Sequence, residues 1–121
     1  LKRMDLSVFD PDSDKEINVF FPLSAPAGKP TKCRIVFNAP TTFATDVRCN
    51  ILIYDIKGRL VRTIVRGEKF QASHYDYDWD GKDVNQQYLP CGIYIISVEL
   101  ADQDTGNIIK SQAVVAIGRK L

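Results

Sequence analysis

Helical periodicity of useful length is absent from this 121-residue chain, and so is any excess of one charge: sixteen Lys and Arg face fifteen Asp and Glu, leaving a net +1. A nucleic-acid module normally carries a basic surplus or stripe, so that class is disfavoured. No apolar run approaches the roughly 20 residues that span a bilayer. Leu1-Lys2-Arg3-Met4-Asp5 has no apolar stretch behind it and does not read as a secretory leader. With Leu first and Met4 as the lone methionine, the chain reads as a fragment of a longer polypeptide, any targeting signal lying outside it. Three cysteines, Cys33, Cys49 and Cys91, form no CxxC pair, which argues against zinc. Cys33 and Cys49 both sit on apolar phases, as two buried thiols or as a disulfide.

Catalytic chemistry is equally short of material. The single histidine, His74, has no serine or cysteine brought near it by the hairpin pattern, and no nucleophile–base arrangement is visible. Asp76 and Asp78 would stand about 7 Å apart along one strand face, but on a convex sheet without a cleft. The expectation is no enzyme and no catalytic residue.

What is present is period-two alternation. Ile17, Val19, Phe21 and Leu23 share one phase; Cys33, Ile35 and Phe37 another; Val47, Cys49, Ile51 and Ile53 a third. Asp55-Ile56-Lys57-Gly58 joins the third to Leu60–Val65, with Gly58 suited to the left-handed position of a bulged hairpin turn. Strands over His74–Trp79, Gly92–Ala101 and Asn107–Ile117 follow, the last two joined by Asp102-Gln103-Asp104-Thr105-Gly106. About seven strands with turns between them predict one all-β domain over residues 1–121, an antiparallel immunoglobulin/fibronectin-like β-sandwich. A closed barrel is the alternative. The core is expected to hold Val19, Phe21, Ile35, Phe37, Ile51, Ile53, Trp79, Tyr94, Ile96 and Val98.

Charged and aromatic groups offer few ligand sites. Asp10-Pro11-Asp12-Ser13-Asp14 has the Asp-x-Asp-x-Asp spacing of a calcium loop without its glycine and closing glutamate. Asp10, Asp12 and Asp14 are therefore the first place for calcium, against a solvated turn; no cofactor is expected. His74, Asp76, Asp78 and Asp80 fall on one strand face opposite Tyr75, Tyr77 and Trp79, a polar exterior that discourages edge pairing. Tyr54 and Tyr88 are expected outward, as stacking platforms or edge packing. Arg59, Arg62, Arg66 and Lys69 read as a solvated basic hairpin.

Three strings in register carry a resemblance. Ile53-Tyr54-Asp55-Ile56-Lys57-Gly58-Arg59-Leu60-Val61-Arg62-Thr63-Ile64 is followed by Trp79-Asp80-Gly81-Lys82-Asp83 and by Leu89-Pro90-Cys91-Gly92-Ile93-Tyr94. Over about residues 50–117 this pattern resembles the immunoglobulin-like domain named after the flagellar hook-capping protein FlgD. It is also similar to C-terminal sorting domains of bacterial surface proteins, with Ser111–Lys120 in the last-strand part. The chain departs from the pattern at Asn85-Gln86-Gln87, where glycine is usual, and at Cys91, where serine is commoner.

The resemblance implies a non-catalytic accessory module of a secreted or surface bacterial protein, acting as spacer, stabiliser or docking surface. The alternatives are a sorting or assembly domain recognised by export or hook machinery, and a carbohydrate- or calcium-binding module. Implied partners are neighbouring domains of the same polypeptide or assembly and export proteins, in an extracytoplasmic location. The motif residues Gly58, Trp79, Asp80, Gly81, Asp83, Pro90, Gly92 and Tyr94 are expected to build structure.

Overall fold

Alternating side chains need two sheets to bury against, and the chain supplies them. The computed structural model describes residues 4–23, 25–38, 46–70 and 74–119, without the side chains of Phe70, His74 and Tyr75. Eight strands are present among these: β1 (Leu6–Phe9), β2 (Val19–Phe20), β3 (Cys33–Asn38), β4 (Val47–Asp55), β5 (Leu60–Phe70), β6 (His74–Trp79), β7 (Gly92–Asp102) and β8 (Ile108–Ile117). They form a three-stranded sheet in the order β1-β3-β6 and a five-stranded sheet in the order β2-β8-β7-β4-β5. Every pairing is antiparallel except the short β2–β8 contact. The architecture is an immunoglobulin-like β-sandwich, as the alternation predicts.

One apolar cluster fills the space between the sheets. Cys33, Ile35 and Phe37 of the smaller sheet meet Cys49, Ile51, Ile53, Ile96, Val98, Leu100 and Val115 of the larger one, all essentially inaccessible. Trp79 sits at its centre with no exposed surface. Its ring meets Phe20 edge-on at 5.4 Å and Tyr94 at 5.9 Å between centroids, the geometry that aromatic quadrupoles favour.

The N-terminal segment differs from the alternation reading. Leu6–Phe9 is a strand on β3 that the pattern did not single out. Phe20, not Val19 or Phe21, enters the core, and Leu23 is exposed. The cause is that β2 is only two residues long. It docks on β8, its chain leaves at Pro22, and the phase is set by Phe20 packing against Trp79 rather than by a long sheet ladder.

The cysteines are all free. Cys33 lies on β3 and Cys49 on β4, in different sheets. Burial, followed by the charges of Asp78 and Asp80, pushes the Cys33 thiol far above its ordinary value. Burial and then the Glu68 charge push Cys49 up to about 12. Both are neutral core fillers, whereas Cys91 is exposed.

Two measurements check this packing. Trp79→Ala is expected to cost about 3–5 kcal/mol through lost burial and the cavity left behind, read as a shifted denaturant midpoint. A thiol-reactive chromophore should titrate one cysteine in the native protein and three after unfolding. Two reactive native thiols would place Cys33 or Cys49 outside the core.

Candidate functional site

The loop between β6 and β7 carries the chain from one sheet to the other, so it must be held in place by its own polar groups. Asp80 Oδ1 accepts the Lys82 amide at 3.0 Å and the Arg62 guanidinium at 3.2 Å. The Lys82 carbonyl accepts two donors, the Trp79 indole N–H at 3.1 Å and Arg62 at 2.9 Å. Asp83 Oδ1 accepts the amides of Asn85 at 2.8 Å and Gln87 at 3.0 Å. Leu89 N–H donates to the Gly81 carbonyl, closing the loop, and Val84 N–H donates to the Val61 carbonyl, tying it to β5.

Gly81 has φ +79°, and a Cβ there would stand 2.5 Å from Pro22 Cγ. Glycine is required twice over, by conformation and by space. At Gln86 the opposite holds: φ is +64° on a residue with a side chain, which costs about 1–2 kcal/mol. This is the position of the departure from glycine noted in the sequence.

The β4–β5 turn is built the same way. Asp55 Oδ1 accepts the amides of Lys57 and Arg59, each at 2.9 Å, and Oδ2 accepts Arg59 Nε at 2.7 Å. Gly58 takes φ +82°. These bonds, the Arg59 amide first, hold the Asp55 carboxyl below its ordinary value of 3.8. At the start of β7 the Tyr94 hydroxyl donates to the Pro90 carbonyl four residues upstream, at 2.7 Å, pinning Leu89-Pro90-Cys91-Gly92 against the sandwich.

Together the β4–β5 turn and the Pro90 corner flank a cleft of about 430 Å³. Ile56, Leu60 and Ile93 line it and are about half exposed or more. Cys91 also lines it. Tyr88 lies nearby on the loop, with Lys82 Nζ 4.9 Å above its ring.

The remaining candidates are placed as follows. Asp10 Oδ1 accepts the Asp12 amide and Oδ2 the Ser13 hydroxyl, while Asp12 and Asp14 are exposed. No group of three or more metal-binding side chains converges among the described residues. Asp76 and Asp78 are exposed on β6, with Asp78 paired to Arg34 at 2.9 Å. Asp80 leaves that face and turns into its own loop; the His74 side chain lies outside the described residues. Arg62 departs from the solvated basic hairpin expected of it: it stands opposite the buried Ile53, across an irregularity in the ladder that no local pattern encodes.

A sandwich of two sheets in this strand order, with a tyrosine near the start of β7 bonded back to its own corner, is an immunoglobulin-like domain. The chain belongs to the FlgD Ig-like domain family, whose sequence model matches residues 28–104. Among solved structures, it is similar to FlgD from P. aeruginosa at 17% identity, over 94% of this chain and 75% of that one, with a TM-score of 0.55. A weaker similarity, 16% identity and TM-score 0.40, covers 70% of this chain and 9% of PorZ, an essential surface component of the type-IX secretion system of Porphyromonas gingivalis. The likeness to FlgD shows the fold; the likeness to PorZ is too low to bear on either fold or function. No curated protein matches.

Opposite changes at two loop positions test the turn. Gly81→Ala should lower stability, whereas Gln86→Gly should raise it by up to about 1 kcal/mol as left-handed strain is relieved. A pH series tests the β4–β5 turn. Because the Asp55 carboxyl is depressed when folded, its contribution is complete above its unfolded value of 3.8 and disappears as pH falls through the lower folded value. Exchange protection of the Arg59 amide should therefore hold at pH 5 and fail only below 3.8.

Proposed function

We propose that this chain is a non-catalytic accessory module of a larger extracytoplasmic bacterial protein, and that it acts as a docking surface within an assembly. Its membership of the FlgD Ig-like family carries the reading. Supporting it, the carboxylates of the motif are committed to structure: Asp55, Asp80 and Asp83 each hold backbone amides of their own turns. Grafted chemistry on this fold would need polar groups aimed outward at a ligand, and these aim at the chain itself.

The sorting or assembly role is a second form of the same reading. A specific feature favours it: β8, the last strand, is covered by β2 only at Ala116 and Ile117.

The test is exchange of this domain, within its parent polypeptide, for an unrelated sandwich of equal size. The parent should still be made but should no longer reach or stay in its extracytoplasmic assembly. Unchanged placement would reject the docking role. The purified chain should also turn over no ester, glycoside or peptide substrate, and hydrolysis abolished by His74→Ala would overturn the non-catalytic reading.

A further inference from the structure

The edges of the two sheets are not equivalent. In β5, three register shifts against β4 break the ladder, and the Gly67 amide is drawn inward to Asn50 Oδ1 at 2.7 Å. The Val61 carbonyl of the same strand is already taken by Val84. In β6, only six residues long, Asp76 and Asp78 line the exterior. Bulges, covering loops and edge charges are how sheets refuse further strands.

β8 has neither bulge nor covering loop from Ile108 to Val114, and Lys110 is its one edge charge. It pairs with β7 in unbroken register from Ile108 to Ile117. On its other side, Ala116 N–H donates to Asn18 and Gly118 N–H to Phe20, which fixes the parity of the strand. Ile108, Lys110, Gln112 and Val114 share that parity, so their N–H and C=O groups point to the same side. Among the described residues no backbone hydrogen bond reaches them there, although β1 packs close to β8. All four residues are exposed. At about 3.3 Å per residue the open stretch is roughly 20 Å long.

We propose that this edge of β8 accepts an extended strand from a partner protein, adding a sixth strand to the five-stranded sheet. The inference rests on the docking reading and specifies its geometry. Strand addition supplies main-chain hydrogen bonds for affinity and alternate side chains for specificity.

The cross-strand rows state which side chains fit. Val114 ends an outward row running through Ile95, Tyr54 and Leu60, so an aliphatic neighbour continues it. Gln112 follows Leu52 and Ser97 and suits a small polar neighbour. Lys110 follows Asn50 and Glu99, and a carboxylate beyond it keeps the signs alternating. Ile108, beside Ala101, takes a second aliphatic group. Opposed pairs of these kinds are the unit of sheet stabilisation. Running antiparallel, the partner strand reads aliphatic, any, polar, any, acidic, any, aliphatic.

The probe is the capped heptapeptide Val-Thr-Thr-Thr-Glu-Thr-Val, titrated into the labelled 121-residue chain. Amides of Ile108, Lys110, Gln112 and Val114 should exchange fast in the free protein and at least tenfold slower with peptide. N-methylation of the third and fifth peptide residues, which face β8, should abolish the effect, whereas methylation of the second, fourth and sixth should not. Lys110→Glu should transfer preference to the peptide with Lys in place of Glu. Gln112→Pro, which removes an outward N–H alone, should block binding with the fold kept. The proposal is overturned by protection of these amides in the free chain, by protection that rises with protein concentration alone (a second copy on the edge), by indifference to the methylation pattern, or by no binding. If binding fails while domain exchange still disrupts placement of the parent, docking stands and this edge is rejected as its site.

Discussion

The Lys82 carbonyl, accepting the Trp79 indole and the Arg62 guanidinium together, is the constraint on which the rest of the sandwich depends. Trp79 ends β6 in the smaller sheet and Arg62 belongs to β5 in the larger one. One oxygen therefore ties the two sheets at the point where the loop crosses between them. An indole buried this deeply needs a partner for its N–H, since an unpaired buried donor costs about 1–3 kcal/mol. The loop supplies that partner only if it doubles back within three residues. Gly81 permits the reversal and Asp80 fixes it by accepting the Lys82 amide. The Trp-Asp-Gly-Lys string is thus a single device in which each residue type answers a different requirement of the same bond.

The second fastener lies fifteen residues beyond Trp79, near the start of β7 in the larger sheet. Tyr94 packs its ring on Trp79 and sends its hydroxyl to Pro90, so the loop that begins at the indole ends at the phenol. Everything between, including Leu89 and the exposed Cys91, is held against the sandwich from both ends. That rigidity gives the cleft beside the β4–β5 turn its shape, because Ile93 and Leu60 face it from elements that cannot drift apart. Strength in this region comes from satisfied polar groups around an aromatic centre, not from covalent links, since Cys33 and Cys49 remain separate thiols.

The sandwich was legible in the sequence wherever strands are long and paired on both sides. β4 and β7 show clean alternation because each position has a buried face to specify it. Legibility failed at the N-terminus, where β2 makes one short contact and its phase is dictated by Phe20 meeting Trp79. No local pattern encodes a contact made across nearly sixty positions of chain. Arg62 was misread for a related reason. Basic residues on a hairpin default to solvent, and the carbonyl that draws this one inward belongs to a loop twenty residues away. The Tyr94 corner could have been read from Pro-x-Gly-x-Tyr, because a hydroxyl four residues beyond a carbonyl at a strand start is within reach.

The open edge of β8 follows from the same distribution of contacts. In the first strands the chain divides its pairing: β1 goes to β3 in the smaller sheet, and after the turn at Asp10 only Asn18, Val19 and Phe20 reach β8. Had β2 extended back alongside Val114 and Gln112, the edge would be closed from within. What shortens it is that the preceding residues pair back onto β1: Ile17 N–H donates to the Val8 carbonyl, Glu16 bridges Phe9, and the Lys15 carbonyl accepts the Asp10 amide. The segment that could have covered β8 is therefore spent on the outer edge of β1. An edge with unbroken register, exposed β-branched residues at Ile108 and Val114 and a single charge at Lys110 is one that sheet proteins ordinarily defend. Here β5 and β6 are defended, the outer side of β1 is met by residues 15–17, and β8 is left most open; that asymmetry is why the proposed recognition element is the last strand rather than the polar motif.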